Sequence, residues 1–224
     1  MIEDLRRVLF FGLSLYIISS IPVAYIAVII RNRGLNLTQI GTYNIGASNT
    51  KNILGTHFAI LIALIDIVGK GFVPIYILSQ VFNYSWELFF YGLIIVFGHN
   101  WSIFMNFKGG RGIAVSIGIL LALEPMRTAF LIIAIPVVFG RWIIYKDSAP
   151  LTFITIILLN MITIYMSTEI IEKIFTIGLS VLLISKRILS NNYSFPEHLN
   201  KYQVIMYRII FDRDIKSKQL WINN

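Results

Sequence analysis

Residues 106–112 form the segment whose residue types most clearly suggest chemistry, Asn-Phe-Lys-Gly-Gly-Arg-Gly, directly before an apolar run. Its glycines are Gly109, Gly110 and Gly112. They free the backbone to turn, so that successive N–H groups can point at one anion. A helix that begins after the loop adds positive partial charge at its N-terminus, and Lys108 and Arg111 supply full positive charges. The pattern predicts a phosphate site; a basic loop with flexible glycines is the alternative.

A second loop, residues 41–51, combines small residues with amide and hydroxyl groups: Gly-Thr-Tyr-Asn-Ile-Gly-Ala-Ser-Asn-Thr-Lys. Backbone and amide donors in such a loop can approach an oxyanion closely, and fixed donors stabilise charge that develops during a reaction. We therefore regard this loop as a candidate to contact an oxyanion. A structureless connection is the alternative.

Several polar residues lie within apolar runs. Asp66 and Lys70 are four residues apart, so on one helix they share a face. Ions inside a membrane are costly and therefore mark functional sites or neutralise each other, and either interpretation fits this pair. Ser20 closely precedes Pro22, where its hydroxyl group either takes part in a site or satisfies a carbonyl freed by the proline. His99 ends another apolar run, with a hydrogen-bonded structural role as its alternative.

The residue inventory argues against several kinds of chemistry. The chain has no cysteine, which excludes disulfides, thiol nucleophiles and Cys-based metal sites. Its three histidines lack metal-binding spacing, and none is followed by the aspartate of the common His-x-x-x-x-Asp acyltransferase motif. The carboxylates form no cluster suited to magnesium. We therefore expect neither a metal nor an organic cofactor.

The elements that must position these residues are membrane helices. Of the 224 residues, 57% are hydrophobic and only 13% are charged, about half the charged share of soluble proteins. A span needs about 20 apolar residues, so about seven spans fit and leave room for short loops and a tail. The apolar runs are residues 8–30, 53–76, 86–104, 113–123, 128–144, 150–166 and 170–184. The expected fold class is an all-α integral membrane protein.

The distribution of positive charge predicts the orientation of these helices. Most of the 19 Lys and Arg residues fall in alternate loops and in the tail, which the positive-inside rule places in the cytoplasm. The N-terminus is then outside, and both glycine-bearing loops share the cytoplasmic face. We expect a polytopic membrane domain at residues 1–187 and a polar, amphipathic cytoplasmic tail at residues 188–224. The net charge of +8 indicates contact with anionic membrane lipid rather than with nucleic acid, because no basic stripe has interleaved aromatic residues.

Taken together, the motifs resemble those of a known family. The chain shows Ser20-Ile21-Pro22, then residues 41–49, then Gly98-His99, and finally residues 107–114, Phe-Lys-Gly-Gly-Arg-Gly-Ile-Ala. Their order and residue types are similar to those of the bacterial acyl-phosphate:glycerol-3-phosphate acyltransferases (PlsY type), over about residues 8–187. That family has seven spans, an outside N-terminus and cytoplasmic motifs. The resemblance therefore implies the same topology and a location in the bacterial plasma (inner) membrane.

The resemblance also implies a reaction and a set of site residues. A fatty acyl group would pass from acyl phosphate to glycerol 3-phosphate, or to a related anionic acceptor, giving lysophosphatidic acid for phospholipid synthesis. The matching positions imply catalytic roles for Ser20, Asn44, Asn49 and Lys108. They imply phosphate binding by Gly46, Lys108, Gly109, Gly110, Arg111 and Gly112, with support from His99, Asp66 and Lys70.

The chain departs from the family pattern in several places, among them the last motif and the position of Lys70. The family's last motif, Arg-His-x-x-Asn-Ile, appears as residues 186–191, Lys-Arg-Ile-Leu-Ser-Asn, without the histidine and asparagine at the family's positions. Lys70 also comes one residue later than in the family pattern. Two alternatives to the enzyme therefore stay open: an inactive paralogue that binds anionic lipid or a partner protein, and an anion transporter that uses Asp66 and Lys70.

Overall fold

The computed structural model describes residues 2–31, 35, 37–38, 43–82, 85–143, 147–191, 196, 199–217 and 220–221. All regular secondary structure in these ranges is helical, which confirms the predicted all-α class. The chain forms two compact units, Met1–Leu123 and Glu124–Asn224. The division into a membrane domain at residues 1–187 and a tail at residues 188–224 stays a prediction.

The helices follow the predicted apolar runs. In the first unit they are α1 (Ile2–Ser20), α2 (Val23–Arg31), α3 (Ala47–Leu54), α4 (Thr56–Leu64), a π-helical segment (Ile65–Phe72), α5 (Val73–Phe82), α6 (Trp86–Asn100), a 3₁₀ turn (Ile103–Met105) and α7 (Ile113–Ala122). In the second unit they are α8 (Glu124–Ile143), α9 (Ser148–Met166), α10 (Ile170–Leu189) and α11 (Lys201–Phe211).

Within the described ranges, four helical segments are long and apolar enough to cross a membrane. They are Leu5–Arg31, Thr56–Phe82, Trp86–Met105 and Ser148–Met166. Shorter apolar helices cover Ile113–Ala122 and Met126–Ile135, and α10 covers the last predicted run. Helices therefore lie on every predicted run, while the number that cross the membrane and the orientation of the termini stay predictions.

The first apolar segment is broken where α1 ends and α2 begins. Pro22 has no N–H group to donate, and its ring obstructs a continuous helix. α1 consequently ends at Ser20 and α2 begins at Val23. α1 packs against α6, whereas α2 packs against α3. The break thus gives the two halves of one apolar segment different packing partners.

The second apolar segment runs through α4, the π-helical segment and α5. Its π-helical part packs against α7, and two glycines allow the close approach. A methyl group on Gly71 would overlap the Val115 carbonyl oxygen, and one on Gly118 would overlap the Ile67 carbonyl oxygen. The backbones of these two elements are therefore in direct contact.

In the second unit, α9 packs against α8 and α10, and α11 packs against α9 and α10. Asp147 caps α9 by accepting from the Ala149 N–H group at 3.2 Å, and it also pairs with Arg213 at 2.6 Å. Arg208 of α11 pairs with Asp214, and both side chains are buried. These ion pairs make residues 201–214 part of the fold of this unit.

Candidate active site

A pocket in the first unit opens at the break between α1 and α2. The residues that form its polar and loop-derived wall include Ser20, Ile45, Asp66, Lys70, His99, Ser102, Gly109 and Gly110. The empty space within the pocket, about 240 Å³, includes space that is open to solvent.

The pocket brings together the two glycine-bearing loops, which are far apart in the sequence. Ile45 of the first loop lines the pocket, and so do Gly109 and Gly110 of the second loop. Asn44 and Gly46 adjoin Ile45 on either side. The first two residues of the first loop's motif, at positions 41 and 42, lie outside the described residues. Both loops therefore contribute to one cavity beside the broken helix.

Asn49 organises the first loop from inside. Its side chain is fully buried, and its Nδ2 atom donates to the carbonyl oxygens of Leu37 and Asn44, each at 3.1 Å. α3 begins directly after Gly46, whose carbonyl oxygen accepts from the Thr50 hydroxyl group at 3.1 Å. Asn49 and Gly46 therefore help to hold the loop in shape, and their predicted roles toward a substrate stay predictions.

Asn44 retains hydrogen-bonding capacity. The residue is 8% exposed, and no described residue hydrogen-bonds to its buried Oδ1 atom. The neighbouring Tyr43 has a φ angle of 55°, in the left-handed region, which costs a bulky residue about 1–3 kcal/mol. Asn44 therefore stays a candidate to contact a substrate or an ordered water through its Oδ1 atom.

Gly110 serves close packing. A methyl group at this position would overlap the Nε2 atom of His99. The Gly110 N–H group donates to the His99 carbonyl oxygen at 3.0 Å. In the structure this N–H group is therefore engaged by a carbonyl oxygen, and its predicted contact with phosphate stays a prediction. Gly109 is equally confined, since a methyl group there would overlap the backbone of His99 and Asn100.

The positive charge of the second loop comes from Lys108 and Arg111. Lys108 is half-buried, and within the described part of the chain no hydrogen bond or ion pair engages its Nζ atom. Arg111 is buried. Gly112 has a φ angle of 76°, which favours glycine, and it ends the loop directly before α7. The Lys108 ammonium group is thus available to an anion, and the positive end of α7 lies next to the same loop.

Ser20 ties α1 to α6 at the wall of the pocket. Its buried hydroxyl group donates to the Gly98 carbonyl oxygen at 3.1 Å, and its carbonyl oxygen accepts from the Ser102 hydroxyl group at 2.6 Å. Because its proton is engaged, the Ser20 hydroxyl oxygen is left as an acceptor. Ser102 was not predicted, because a single serine after an apolar run has no distinguishing sequence signal.

Asp66, Lys70 and His99 form a buried polar cluster beside the break. Lys70 Nζ lies 3.1 Å from Asp66 Oδ1 and donates to the Ile21 carbonyl oxygen at 2.6 Å. His99 Nδ1 lies 3.8 Å from the same carboxylate oxygen. Among the residues that the structure describes, no group of three or more His, Asp or Glu side chains could hold a metal ion. Asp66 and Lys70 therefore neutralise each other, as one of the two interpretations of the pair predicted. Both residues also lie in the wall of the pocket.

The residues at the family's last motif lie in the second unit, at the end of α10. Lys186 Nζ donates to Asn191 Oδ1 at 2.9 Å, and both side chains are buried. Arg187 occupies the histidine position of the motif and donates to the carbonyl oxygens of Ala149 at 3.1 Å and Ile209 at 2.7 Å. Arg187 thus links α10 to the start of α9 and to the end of α11. A histidine side chain is shorter and could not reach both carbonyl oxygens.

Comparison with known proteins decides the family. Residues 9–193 match the family model for glycerol-3-phosphate acyltransferase. The chain belongs to this family. Glycerol-3-phosphate acyltransferase 5 of Dehalococcoides mccartyi is 30% identical over 214 residues, which cover 93% of this chain and 89% of the relative. The glycerol-3-phosphate acyltransferase of Aquifex aeolicus is 35% identical over 125 residues, which cover 55% of this chain and 64% of the relative.

Solved structures of the glycerol-3-phosphate acyltransferase family agree with this assignment. A crystal structure of PlsY, an integral membrane glycerol 3-phosphate acyltransferase in its glycerol 3-phosphate form, matches with a TM-score of 0.68 at 27% identity, over 81% of this chain and 88% of that chain. A second PlsY structure, in the lysophosphatidic acid form, shares the fold with a TM-score of 0.66 at 22% identity, over 90% of this chain and 99% of that chain. The motif resemblance is confirmed, and this chain is a membrane acyltransferase.

Proposed function

We propose that this chain transfers a fatty acyl group from acyl phosphate to the 1-hydroxyl group of glycerol 3-phosphate, giving lysophosphatidic acid and inorganic phosphate. The observation that carries the proposal is the pocket in which Ser20, Ile45, Gly109 and Gly110 meet. Membership of the glycerol-3-phosphate acyltransferase family and the PlsY structure in its glycerol 3-phosphate form support the choice of acceptor.

The chemistry of the donor limits what the protein has to supply. Phosphate is a good leaving group, so acyl phosphate is already activated, and positioning of the two reactants provides much of the acceleration. The acceptor hydroxyl oxygen forms a bond to the acyl carbon while the bond between that carbon and the phosphate oxygen breaks. The hydroxyl proton ends on the released phosphate. A strong nucleophilic side chain is not required for this sequence.

The proposed roles follow from the positive charges of the second loop and from the Asn44 amide oxygen, to which no described residue hydrogen-bonds. Lys108 and Arg111 hold phosphate oxygens, because charge-assisted contacts to phosphate are the strongest available here. The Asn44 amide orients the acceptor hydroxyl group. Ser20 contributes its hydroxyl oxygen as an acceptor in the wall. The remaining predicted residues hold the two loops in shape: Asn49, Gly46, Gly109, Gly110, Gly112 and His99.

The reaction would take place at the inner face of a bacterial plasma (inner) membrane. We propose about seven spans, an outside N-terminus and a cytoplasmic tail after residue 187, which the distribution of Lys and Arg supports. The relatives are bacterial proteins, and the positive inner face would contact anionic membrane lipid.

Because the chain has no cysteine, single cysteines can test this orientation without removal of native thiols. Ser48→Cys lies on the proposed cytoplasmic side and Glu169→Cys on the outer side. A membrane-impermeant maleimide added to intact spheroplasts should label only Glu169→Cys, and lysis should expose Ser48→Cys. The opposite labelling pattern would reverse the proposed orientation.

The activity test uses purified protein in lipid bilayers with acyl phosphate and glycerol 3-phosphate, and it follows both lysophosphatidic acid and phosphate. Lys108→Ala should lower kcat/KM about 10- to 100-fold, because one hydrogen bond to a charged group contributes about 1.5–3 kcal/mol. The matched control is Lys173→Ala on α10, which should match the unaltered protein. Turnover only with another phosphorylated alcohol would keep the reaction class and change the acceptor. Absence of turnover with any acceptor, or uptake of phosphate into liposomes without product, would contradict the proposal.

A further inference from the structure

The break between α1 and α2 is held by donors from two other elements. The Ser20 carbonyl oxygen accepts from the Ser102 hydroxyl group, and the Ile21 carbonyl oxygen accepts from Lys70 Nζ, each at 2.6 Å. A proline break interrupts helical hydrogen bonding and leaves backbone carbonyls that must find partners within a membrane. Ser102 therefore supplies a donor to the Ser20 carbonyl oxygen, and Lys70 adds a second donor to the Ile21 carbonyl oxygen, which also accepts from the Val23 N–H group at 3.0 Å.

Lys70 is an expensive residue to place at this position. Its side chain is 7% exposed, and a buried ammonium group is stable only with an ionic partner and good hydrogen bonds. Asp66 supplies the opposite charge, at 3.1 Å. The remaining bonding capacity of the ammonium group is directed at the break through Ile21. An uncharged donor could bond to the Ile21 carbonyl oxygen at a lower desolvation cost than an ammonium group. The presence of a buried ion pair at this position therefore suggests a role beyond that one hydrogen bond.

The location of Lys70 supplies that reason. Lys70 belongs to the π-helical segment, and that segment contacts the backbone of α7 through Gly71 and Gly118. α7 begins directly after Gly112, the last residue of the basic loop. A continuous set of contacts thus leads from the break through Lys70 and the π-helical segment to the helix that anchors the Lys108 loop.

We propose that Lys70 is a positioning residue for acyl transfer: it holds the break between α1 and α2, and thereby the wall that contains Ser20, at a fixed distance from the basic loop. Asp66 is its counter-ion. The role of Lys70 in transfer rests on the proposed function, whereas its hold on the break does not. Loss of the Lys70 ammonium group would leave phosphate binding by Lys108 in place but misplace the acceptor relative to the acyl carbon.

The first experiment measures how much acyl phosphate is lost to water. Acyl phosphate and water give fatty acid and phosphate, whereas transfer gives lysophosphatidic acid and phosphate. After the phosphate released without protein is subtracted, the ratio of phosphate released to lysophosphatidic acid formed does not depend on the fraction of protein that is folded. It should be close to one in the unaltered protein, rise at least threefold in Lys70→Met, and return toward one in Lys70→Arg, which keeps the charge and the donors.

Lys173→Met is the matched control and should give a ratio close to one. A ratio near one in Lys70→Met would overturn the role in transfer.

The second experiment tests the hold on the break without any reaction. Spin labels on Leu13→Cys of α1 and Ile30→Cys of α2 occupy outward-facing positions that are at most roughly 25 Å apart along the helices, a distance that pulsed electron spin resonance measures. The distance distribution should be narrow in the unaltered background and in Lys173→Met, and broader or shifted in Lys70→Met. An unchanged distance distribution in Lys70→Met would overturn the proposal that Lys70 holds the break. If the unaltered protein made no lysophosphatidic acid, the proposed function would fail, and this measurement alone would decide whether Lys70 holds the break.

Discussion

The hydroxyl group of Ser20 donates to the carbonyl oxygen of Gly98 at 3.1 Å, which joins α1 to the last turn of α6. The last carbonyl groups of a helix have no helical donor, so Ser20 provides a partner that the helix lacks. Gly98 permits the contact, because a methyl group there would overlap the Ser19 hydroxyl oxygen and the Tyr16 carbonyl oxygen. A serine that the motif suggests as a reacting group is thus also part of the packing between two helices.

Ser20→Ala should therefore reduce stability as well as activity. A buried acceptor left without its donor costs about 1–3 kcal/mol, and the wall of the pocket loses its tie to α6. The control is Ser14→Ala on the same helix, whose hydroxyl group bonds only to the Phe10 carbonyl oxygen at an exposed position and whose loss should cost no more than about 0.5 kcal/mol. Thermal unfolding in detergent measures both. Equal melting temperatures for the two variants would contradict the assignment.

Gly71→Ala should be destabilising by about 1–3 kcal/mol, the usual cost of an extra methyl group in a packed contact. The added group would overlap the Val115 carbonyl oxygen, which belongs to a helix backbone and cannot rotate away. Gly69→Ala is the matched control two residues earlier, where the nearest neighbouring atom would be an Ile65 side-chain carbon at 3.8 Å. Thermal unfolding should separate the two variants clearly. Similar behaviour would show that α7 does not approach the π-helical segment as closely as described.

The contact between Gly110 and His99 predicts a coupled pair of substitutions. Gly110→Ala alone should be destabilising, because the methyl group would overlap the His99 ring. In a His99→Ala background the same change should cost less, with a coupling energy of at least about 0.5 kcal/mol, as for other residues in direct contact. Unfolding measurements on the unaltered protein, both single variants and the double variant give that energy. Additive effects would mean that Gly110 is required for a different reason, such as its backbone conformation.

Arg208→Ala should weaken the second unit by about 3–5 kcal/mol, because removal of one partner leaves the other charge of a buried pair uncompensated. Its partner Asp214 is itself buried. Arg127→Ala provides the comparison, since Arg127 and Glu124 form an exposed pair at 3.9 Å that should contribute about 0–1 kcal/mol. Limited proteolysis of residues 201–217 and thermal unfolding report the difference. An Arg208→Ala protein as resistant and as stable as Arg127→Ala would contradict the structural role of the tail.

Two features could be predicted from the sequence: the helical elements, and the placement of the two glycine-bearing loops at one site. Apolar runs and the position of Pro22 suffice to place helices and one break. Spacing alone indicates that Asp66 and Lys70 face each other. The glycines of the second loop indicate that something approaches the backbone closely, but not what approaches it. The structure shows that the His99 ring is one close neighbour of Gly110.

Other features depend on long-range contacts that no local pattern reports. Ser102 reaches the Ser20 carbonyl oxygen only because α1 and α6 pack together. The π-helical winding of residues 65–72 is equally hidden, although it offers a physical reason for the later position of Lys70, since a π turn accommodates one more residue than an α turn. The buried partners of Arg208 could not be predicted from a tail whose composition suggests an interfacial helix, because amphipathic helices on lipid and on protein have similar patterns.

In the orientation proposed above, the break at Ile21–Pro22 would also set the depth of the pocket in a bilayer. The segment Leu5–Arg31 has 27 residues, and a straight helix of that length would measure roughly 40 Å, well beyond the hydrocarbon thickness of about 30 Å. Ser20 comes roughly 22 Å after the segment begins. We therefore expect the cavity near the inner boundary between acyl chains and headgroups, where an amphiphile would enter sideways from the leaflet with its tail among the acyl chains and only its head among the polar residues.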